Sequence, residues 1–257
     1  MKALTRRRAD PTSGGDILTG PRVALEALRA GRRKIRRILL ARTEGAGVAE
    51  AIRRLAVERG VVVEARTRAD LDRLATGRTH QGVVVEAGPF PYVEMDEVIS
   101  GAGRADAAFL IALDEIQDPQ NLGAIIRTAE AAWAHGLILP QDRTAHVTSA
   151  VVRASAGAAE HVPVARAGNL AAFLEIAKGR GLWVVGADPS GSCLLHAVDL
   201  RVPLILVIGS EGSGLRPLVK RRCDFLVRIP LAGRVASLNA SAAAAVCIFE
   251  VVRQRTP

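Results

Sequence analysis

Short, continuous apolar runs alternate along this chain with longer segments whose apolar residues recur every three or four positions. The runs at 108–113, 182–186 and 204–208 suit strands buried on both faces of a parallel sheet. Strands are also expected at 136–139, 162–164 and 225–229. Helical patterns lie between them at 122–133, 149–156, 170–178 and about 238–253. The first of these places apolar residues at 122, 125, 126, 129 and 133 on one face. The last is expected to turn Leu238, Ala242, Ala245, Val246, Phe249 and Val252 inward.

The first third shows the same alternation at smaller scale. Helices are expected at 23–30, 48–59 and 71–75, and strands at 38–41, 61–64 and 82–86, which together make a small α/β sandwich. Prolines and glycines in GPFPYVEMDEVISGAG (88–103) mark a linker with a short helix inside it. The expected division is a disordered basic tail at 1–15, a small domain at 16–88, a linker at 89–105 and a larger domain at 106–257. Both domains are α/β, the larger with a largely parallel sheet. Its ligands belong where loops leave the C-terminal ends of the strands.

Charge sharpens this division. Residues 1–88 carry 19 Lys and Arg against 10 Asp and Glu, whereas residues 89–257 carry 16 against 16. A basic module joined to a neutral one is what a nucleic-acid-binding appendage on a catalytic domain shows. Arg32, Arg33, Lys34, Arg36 and Arg37 form the densest cluster and are the candidate phosphate contacts. Only 3% of residues are aromatic, so recognition led by base stacking is not expected. The three cysteines have no CxxC spacing, which argues against a disulfide framework and a zinc site, and no metal is expected. No apolar segment fits a signal peptide or a membrane span. The expectation is a soluble protein of a reducing compartment, the cytoplasm.

Candidate chemistry sits in three segments. The run 204–208 ends in a glycine-rich acidic loop, GSEGSG (209–214). It lacks the GK[ST] ending of a P-loop, and Pro217 stands where a dinucleotide fingerprint needs glycine. Taken singly, each polar residue has a structural reading. Ser237 suits a helix N-cap and Asn239 a first helical turn, while Asn121 could cap the helix at 122. Arg127 and Glu130 could form a surface ion pair.

Together, LDEIQDPQNLGAIIRTAEAA (113–132), LVIGSEGSGL (206–215) and IPLAGRVASLNASAAAAV (229–246) resemble the three motifs of the SpoU (TrmH) family of RNA ribose 2′-O-methyltransferases. SAGAAEHVPVAR (155–166) and LWVVGAD (182–188) extend the likeness over 106–257. The resemblance implies a trefoil-knotted, SPOUT-type α/β domain, an S-adenosylmethionine cofactor and a homodimer. It places Asn121, Arg127, Glu211, Ser237 and Asn239 in the active site, and Ala187, Gly209, Ile229 and Leu238 against the cofactor. A guanidinium stays charged, so Arg127 is read as gripping a phosphate, with Glu211 orienting it.

The first third, through LTGPRVALEALRAG (18–31) and THQG (79–82), resembles the small L30e-like domain of some members. The likeness is greatest to those acting on guanosine in the peptidyl-transferase region of 23S rRNA. A tRNA ribose methyltransferase, a non-catalytic RNA-binding assembly factor and a nucleotide-binding α/β enzyme are the rival readings. The third lacks its phosphate-binding motif.

Overall fold

The first third of the chain folds into a four-stranded sheet, and the rest into a seven-stranded sheet whose strands at 109–113, 136–140 and 204–208 are buried along their whole length. The structure is a computed structural model that describes residues 15–42, 46–102, 108–212, 214–234 and 237–256. Apart from Gly15, the tail expected at 1–15 lies outside the described residues. Two units are distinguished, Met1–Pro91 and Tyr92–Pro257.

In the first unit the elements are β1 (Asp16–Thr19), α1 (Pro21–Ala30), β2 (Ile35–Ala41), α2 (Ala46–Glu58), β3 (Val62–Arg66), α3 (Arg68–Ala75) and β4 (Val83–Ala87). The sheet order is β1-β4-β2-β3, with only β2 and β3 parallel. Strand β1 is not among the expected strands, because DILT holds only the adjacent pair Ile17 and Leu18, which gives neither an alternation nor an apolar run. Thr67 and Asp70 form a reciprocal capping box that starts α3.

The second unit contains α4 (Met95–Ala102), β5 (Phe109–Leu113), α5 (Pro119–Ala131), β6 (Gly136–Pro140), α6 (Ser149–Ala154), β7 (Val164–Ala167), α7 (Leu170–Gly179), β8 (Trp183–Ala187), β9 (Cys193–Leu194), β10 (Leu204–Ile208), α8 (Pro217–Lys220), β11 (Phe225–Arg228) and α9 (Ala240–Arg255). All pairings in its sheet are parallel, in the order β7-β6-β5-β10-β8-β11-β9. The chain twice returns to insert a strand between two laid down earlier. Helices α4, α7 and α8 share a core with Leu110, Ala112, Ile205 and Val207 on one face. Helices α5, α6 and α9 pack together on the other. Residues 89–105, expected as a linker, contain α4, whose Val98 and Ile99 join that first core.

Two expected helix faces differ from those observed. Trp133 lies beyond the end of α5 at φ 55° and is 82% exposed, so it is no part of the buried stripe. In α9 the buried residues are Ala240, Ala244, Cys247, Ile248 and Val251. The expected inner face is largely the outer one: Ala242, Val246 and Phe249 are exposed, as is Leu238 just before the helix. Both series in this alanine-rich helix are apolar at helical spacing, so periodicity could not choose between them.

Glycine at 123 lets α5 and α6 touch. A Cβ there would run into the Ala154 side chain and come within 3.0 Å of the Val151 carbonyl oxygen and the Ser155 backbone nitrogen. Gly123→Ala should therefore cost about 1–3 kcal/mol of stability despite the helix propensity of alanine. Urea denaturation measures it, and an unchanged or raised midpoint would contradict the close packing.

Candidate active site

Strand register builds the site. Leu113, Ile208 and Ala187 end β5, β10 and β8 side by side. Asp114, Gly209 and Asp188 therefore leave the sheet at one level, with a carboxylate on each side of the glycine loop. The glycine loop is closed by its ends: the Ser210 and Gly214 amides each donate to the other's carbonyl at 3.1 Å. Gly209 must be glycine, because a Cβ would meet the Leu215 nitrogen at 2.7 Å.

The limb that follows is held by those two carboxylates. The Leu215 amide donates to Asp188 Oδ2 at 3.0 Å, and the Arg216 amide to Asp114 Oδ2 at 2.8 Å. Arg216 Nε also donates to Asp114 Oδ1 at 2.7 Å. Asp188 pairs with Lys220 Nζ at 2.8 Å and accepts from the Ser190 hydroxyl at 2.5 Å. Burial alone would raise the Asp188 carboxyl, but Lys220, Ser190 and the Leu215 amide outweigh it and hold it at about 2. None of Asp114, Asp188, Arg216 or Lys220 was singled out in the sequence. The only signal was an Asp directly after each of two buried strands.

Four residues expected against the cofactor, Ala187, Gly209, Ile229 and Leu238, line one cleft. Its floor is apolar, with Ile208, Val227 and Ala243, and its rim includes glycine-loop backbone and Ser237. A polar hollow lined by Glu115, Gln117, Asp118 and Asn121 adjoins it, and Ser210 and Glu211 belong to both.

At this shared wall three side chains converge. The Asn239 amide donates from Nδ2 to Asn121 Oδ1 at 3.0 Å and to Glu211 Oε2 at 3.2 Å. Its Oδ1 caps α9, accepting from the Ser241 amide at 2.9 Å. Asp118 caps α5 instead of Asn121, accepting from the Gln120 and Asn121 amides. Capping thus falls to Asp118 and Asn239 and leaves Asn121 and Ser237 unused by it. Arg127 is exposed on α5, lines neither hollow, and makes no hydrogen bond or ion pair with a described residue, Glu130 included. Within this chain the expected contact between Glu211 and Arg127 is not made; the Glu211 carboxylate accepts from Asn239 instead.

The basic cluster of the first unit also divides. Lys34 and Arg36 are exposed, and Arg32 is half-buried. Arg33 is buried: it pairs with Asp16, donates to the Gly88 carbonyl at 2.8 Å and lies over Phe90. Arg37 bridges Glu86 at 2.8 Å and Glu64 at 3.2 Å. Arg33 and Arg37 are therefore committed to the fold rather than to an incoming phosphate. Among the described residues there is no group of three or more potential metal ligands, and no helix is long and apolar enough to cross a membrane. Burial pushes the Cys223 and Cys247 thiols up to about 12, which removes them as nucleophiles at neutral pH.

An apolar cleft edged by glycine-loop backbone suits a small ligand with an apolar body and a few polar groups that backbone amides and carbonyls can fix. Residues 108–249 match the SpoU rRNA methylase family, and residues 17–93 match the RNA 2′-O ribose methyltransferase substrate-binding domain. The chain belongs to the SpoU family. YacO of Bacillus subtilis, assigned to the TrmH family of tRNA/rRNA methyltransferases, is 43% identical over 94% of this chain and 97% of its own.

The SpoU methyltransferase AviRb of Streptomyces viridochromogenes, solved with AdoMet, superposes with a TM-score of 0.80 at 29% identity. The match covers 98% of this chain and 95% of that one. An AdoMet-bound rRNA methyltransferase of Sinorhizobium meliloti gives 0.79 at 30% identity over 95% and 88%. This SpoU enzyme is an S-adenosylmethionine-dependent RNA 2′-O-methyltransferase. It has the SPOUT-type parallel α/β fold and a substrate-binding domain ahead of it.

A folded carboxyl held below its ordinary value contributes stability above about pH 4 and loses it as pH falls through its folded pKa. Asp188→Asn should thus lower stability at pH 7 by on the order of 2 kcal/mol. The difference from wild type should close between pH 4 and 2, as read by urea midpoints across that window. Glu250, held at about 2 mainly by Arg253, titrates there too but is common to both proteins. A gap that stays constant down to pH 2 would show that the carboxylate is not the cause.

Proposed function

We propose that this SpoU enzyme methylates the ribose 2′-OH of a guanosine in the peptidyl-transferase region of 23S-type rRNA, acting as a homodimer. The observation that carries the transfer chemistry is the meeting of Asn121, Glu211 and Asn239 on the wall between an apolar cleft and a polar hollow. The rRNA assignment rests on the basic substrate-binding unit and on its likeness, at 18–31 and 79–82, to enzymes of that target. A tRNA target is the second reading, since YacO's assigned family spans both RNAs.

Bound in the cleft against Ala187, Gly209, Ile229 and Leu238, S-adenosylmethionine supplies a sulfonium methyl that needs placement and exclusion of water rather than activation. The acceptor hydroxyl is the weak partner and must lose its proton during attack. Asn121 in the polar hollow, Asn239 on the shared wall and Ser237 at the cleft rim orient the ribose, with Glu211 fixing the Asn239 amide. Arg127, exposed on α5, grips the phosphate beside the target ribose in a two-point contact and stabilises the developing alkoxide. A phosphate oxygen or a water would take the 2′-OH proton as the O–CH3 bond forms and the S–CH3 bond breaks, the sulfur leaving as a neutral thioether. Lys34 and Arg36, with Arg32 beside them, contact RNA phosphates from the first unit.

A dimer explains the outer face of α9. Val246 is 43% and Phe249 49% exposed, apolar residues of a kind that a partner helix covers. The charge introduced by Phe249→Asp should leave the fold intact and give a monomer by sedimentation equilibrium; a persistent dimer would place the interface elsewhere.

Mapping 2′-O-methyl groups in rRNA and tRNA from cells with and without the enzyme tests the target directly. Loss of one 23S guanosine methyl is expected, and loss confined to tRNA would replace the rRNA reading. Arg127→Lys, which keeps the charge but not the fork, should lower kcat by about 100-fold. Near-normal turnover would remove the two-point grip.

A further inference from the structure

We propose that Asp114 and Asp188 are positioning residues, a pair of buried carboxylates that clasp two successive backbone amides and set the glycine loop before the cofactor arrives. The Asp188 side chain is 2% exposed and the Asp114 side chain fully buried. They stand on opposite sides of β10, at the ends of β8 and β5, and reach the Leu215 and Arg216 amides at 3.0 and 2.8 Å. Carboxylate-to-amide bonds of this kind are charge-assisted and directional. Each charge is balanced by a cation just beyond the loop, Lys220 for Asp188 and Arg216 for Asp114.

The two halves of the clasp serve different hollows. Asp188 ties the glycine loop to its own loop, where it also accepts from the Ser190 amide at 3.0 Å, and both loops line the cleft. Asp114 precedes Glu115, which lines the polar hollow with Asn121 and Glu211. One clasp point therefore shapes the cofactor side and the other shapes the acceptor side. A preset loop spares binding the entropy of ordering it. This inference rests on the cleft being where S-adenosylmethionine binds.

The test begins on the unmodified enzyme without cofactor. Amide hydrogen exchange should show Leu215 and Arg216 protected, and exchange at open-chain rates would overturn the clasp. Asp188→Asn should then weaken S-adenosylmethionine binding by about tenfold in calorimetry, the equivalent of 1.4 kcal/mol. It should also speed exchange at Leu215 and leave kcat at saturating cofactor within about twofold of wild type. Asp114→Asn should lower kcat more than it changes cofactor affinity. Wild-type affinity in Asp188→Asn, or equal loss of kcat and affinity in both variants, would sink the assignment.

If Asp188→Asn fails to fold, Ser190→Ala removes the 2.5 Å hydroxyl contact to the same carboxylate, and a smaller loss of affinity is expected from it. Unchanged affinity there would count against the clasp. Ala243→Phe, which fills the cleft floor, separates the underlying premise: undiminished cofactor binding in that variant would show that the cleft is not the cofactor site.

Discussion

Everything at the active end of this enzyme depends on three central strands finishing in register. Because β5, β10 and β8 stop at Leu113, Ile208 and Ala187, the next residue of each begins a loop at the same height. The glycine loop rises between two carboxylates that no packing force would place there unaided. Parallel strands buried on both faces have little freedom to slip, since a one-residue shift turns every core side chain around. The register thus carries the precision of the site, and the loops inherit it.

The helices supply the complement. Two N-termini, those of α5 and α9, converge on the wall between cleft and hollow, and each has a dedicated cap in Asp118 or Asn239. Capping draws the chain ends to fixed positions. Asn121, in the first turn of α5, then faces Asn239 across 118 positions of sequence. The substrate-binding unit follows a different logic. Its arginines are partly consumed in ion pairs that hold its own sheet, as Arg33 and Arg37 are, so a dense basic run overstates the charge offered to RNA.

The second half of the chain was largely legible in its sequence. Continuous apolar runs located the inner strands, and Leu204–Ile208 agrees to the residue. The three motifs named the polar residues that meet at the wall. What escaped had physical reasons. The two-residue β9 is too short for a periodic signature, and in β1 only the adjacent Ile17 and Leu18 are apolar. The two apolar series of α9 are equivalent in pattern, and only tertiary contact distinguishes them. Asp114 and Asp188 look like ordinary strand-end residues until the register shows what stands between them. The commitment of Arg33 could not be read either, since its partners Asp16 and Gly88 are far away in sequence.

Asn239 spends its single amide on two tasks at once, its oxygen on the first turn of α9 and its nitrogen on Asn121 and Glu211. The group therefore has only one useful orientation and cannot rotate to suit another neighbour. Aspartate would keep the helix start but set two like charges face to face, and serine would keep it but no longer span the gap. The helix start by itself would thus accept aspartate or serine at this position, whereas the contacts with Asn121 and Glu211 accept neither.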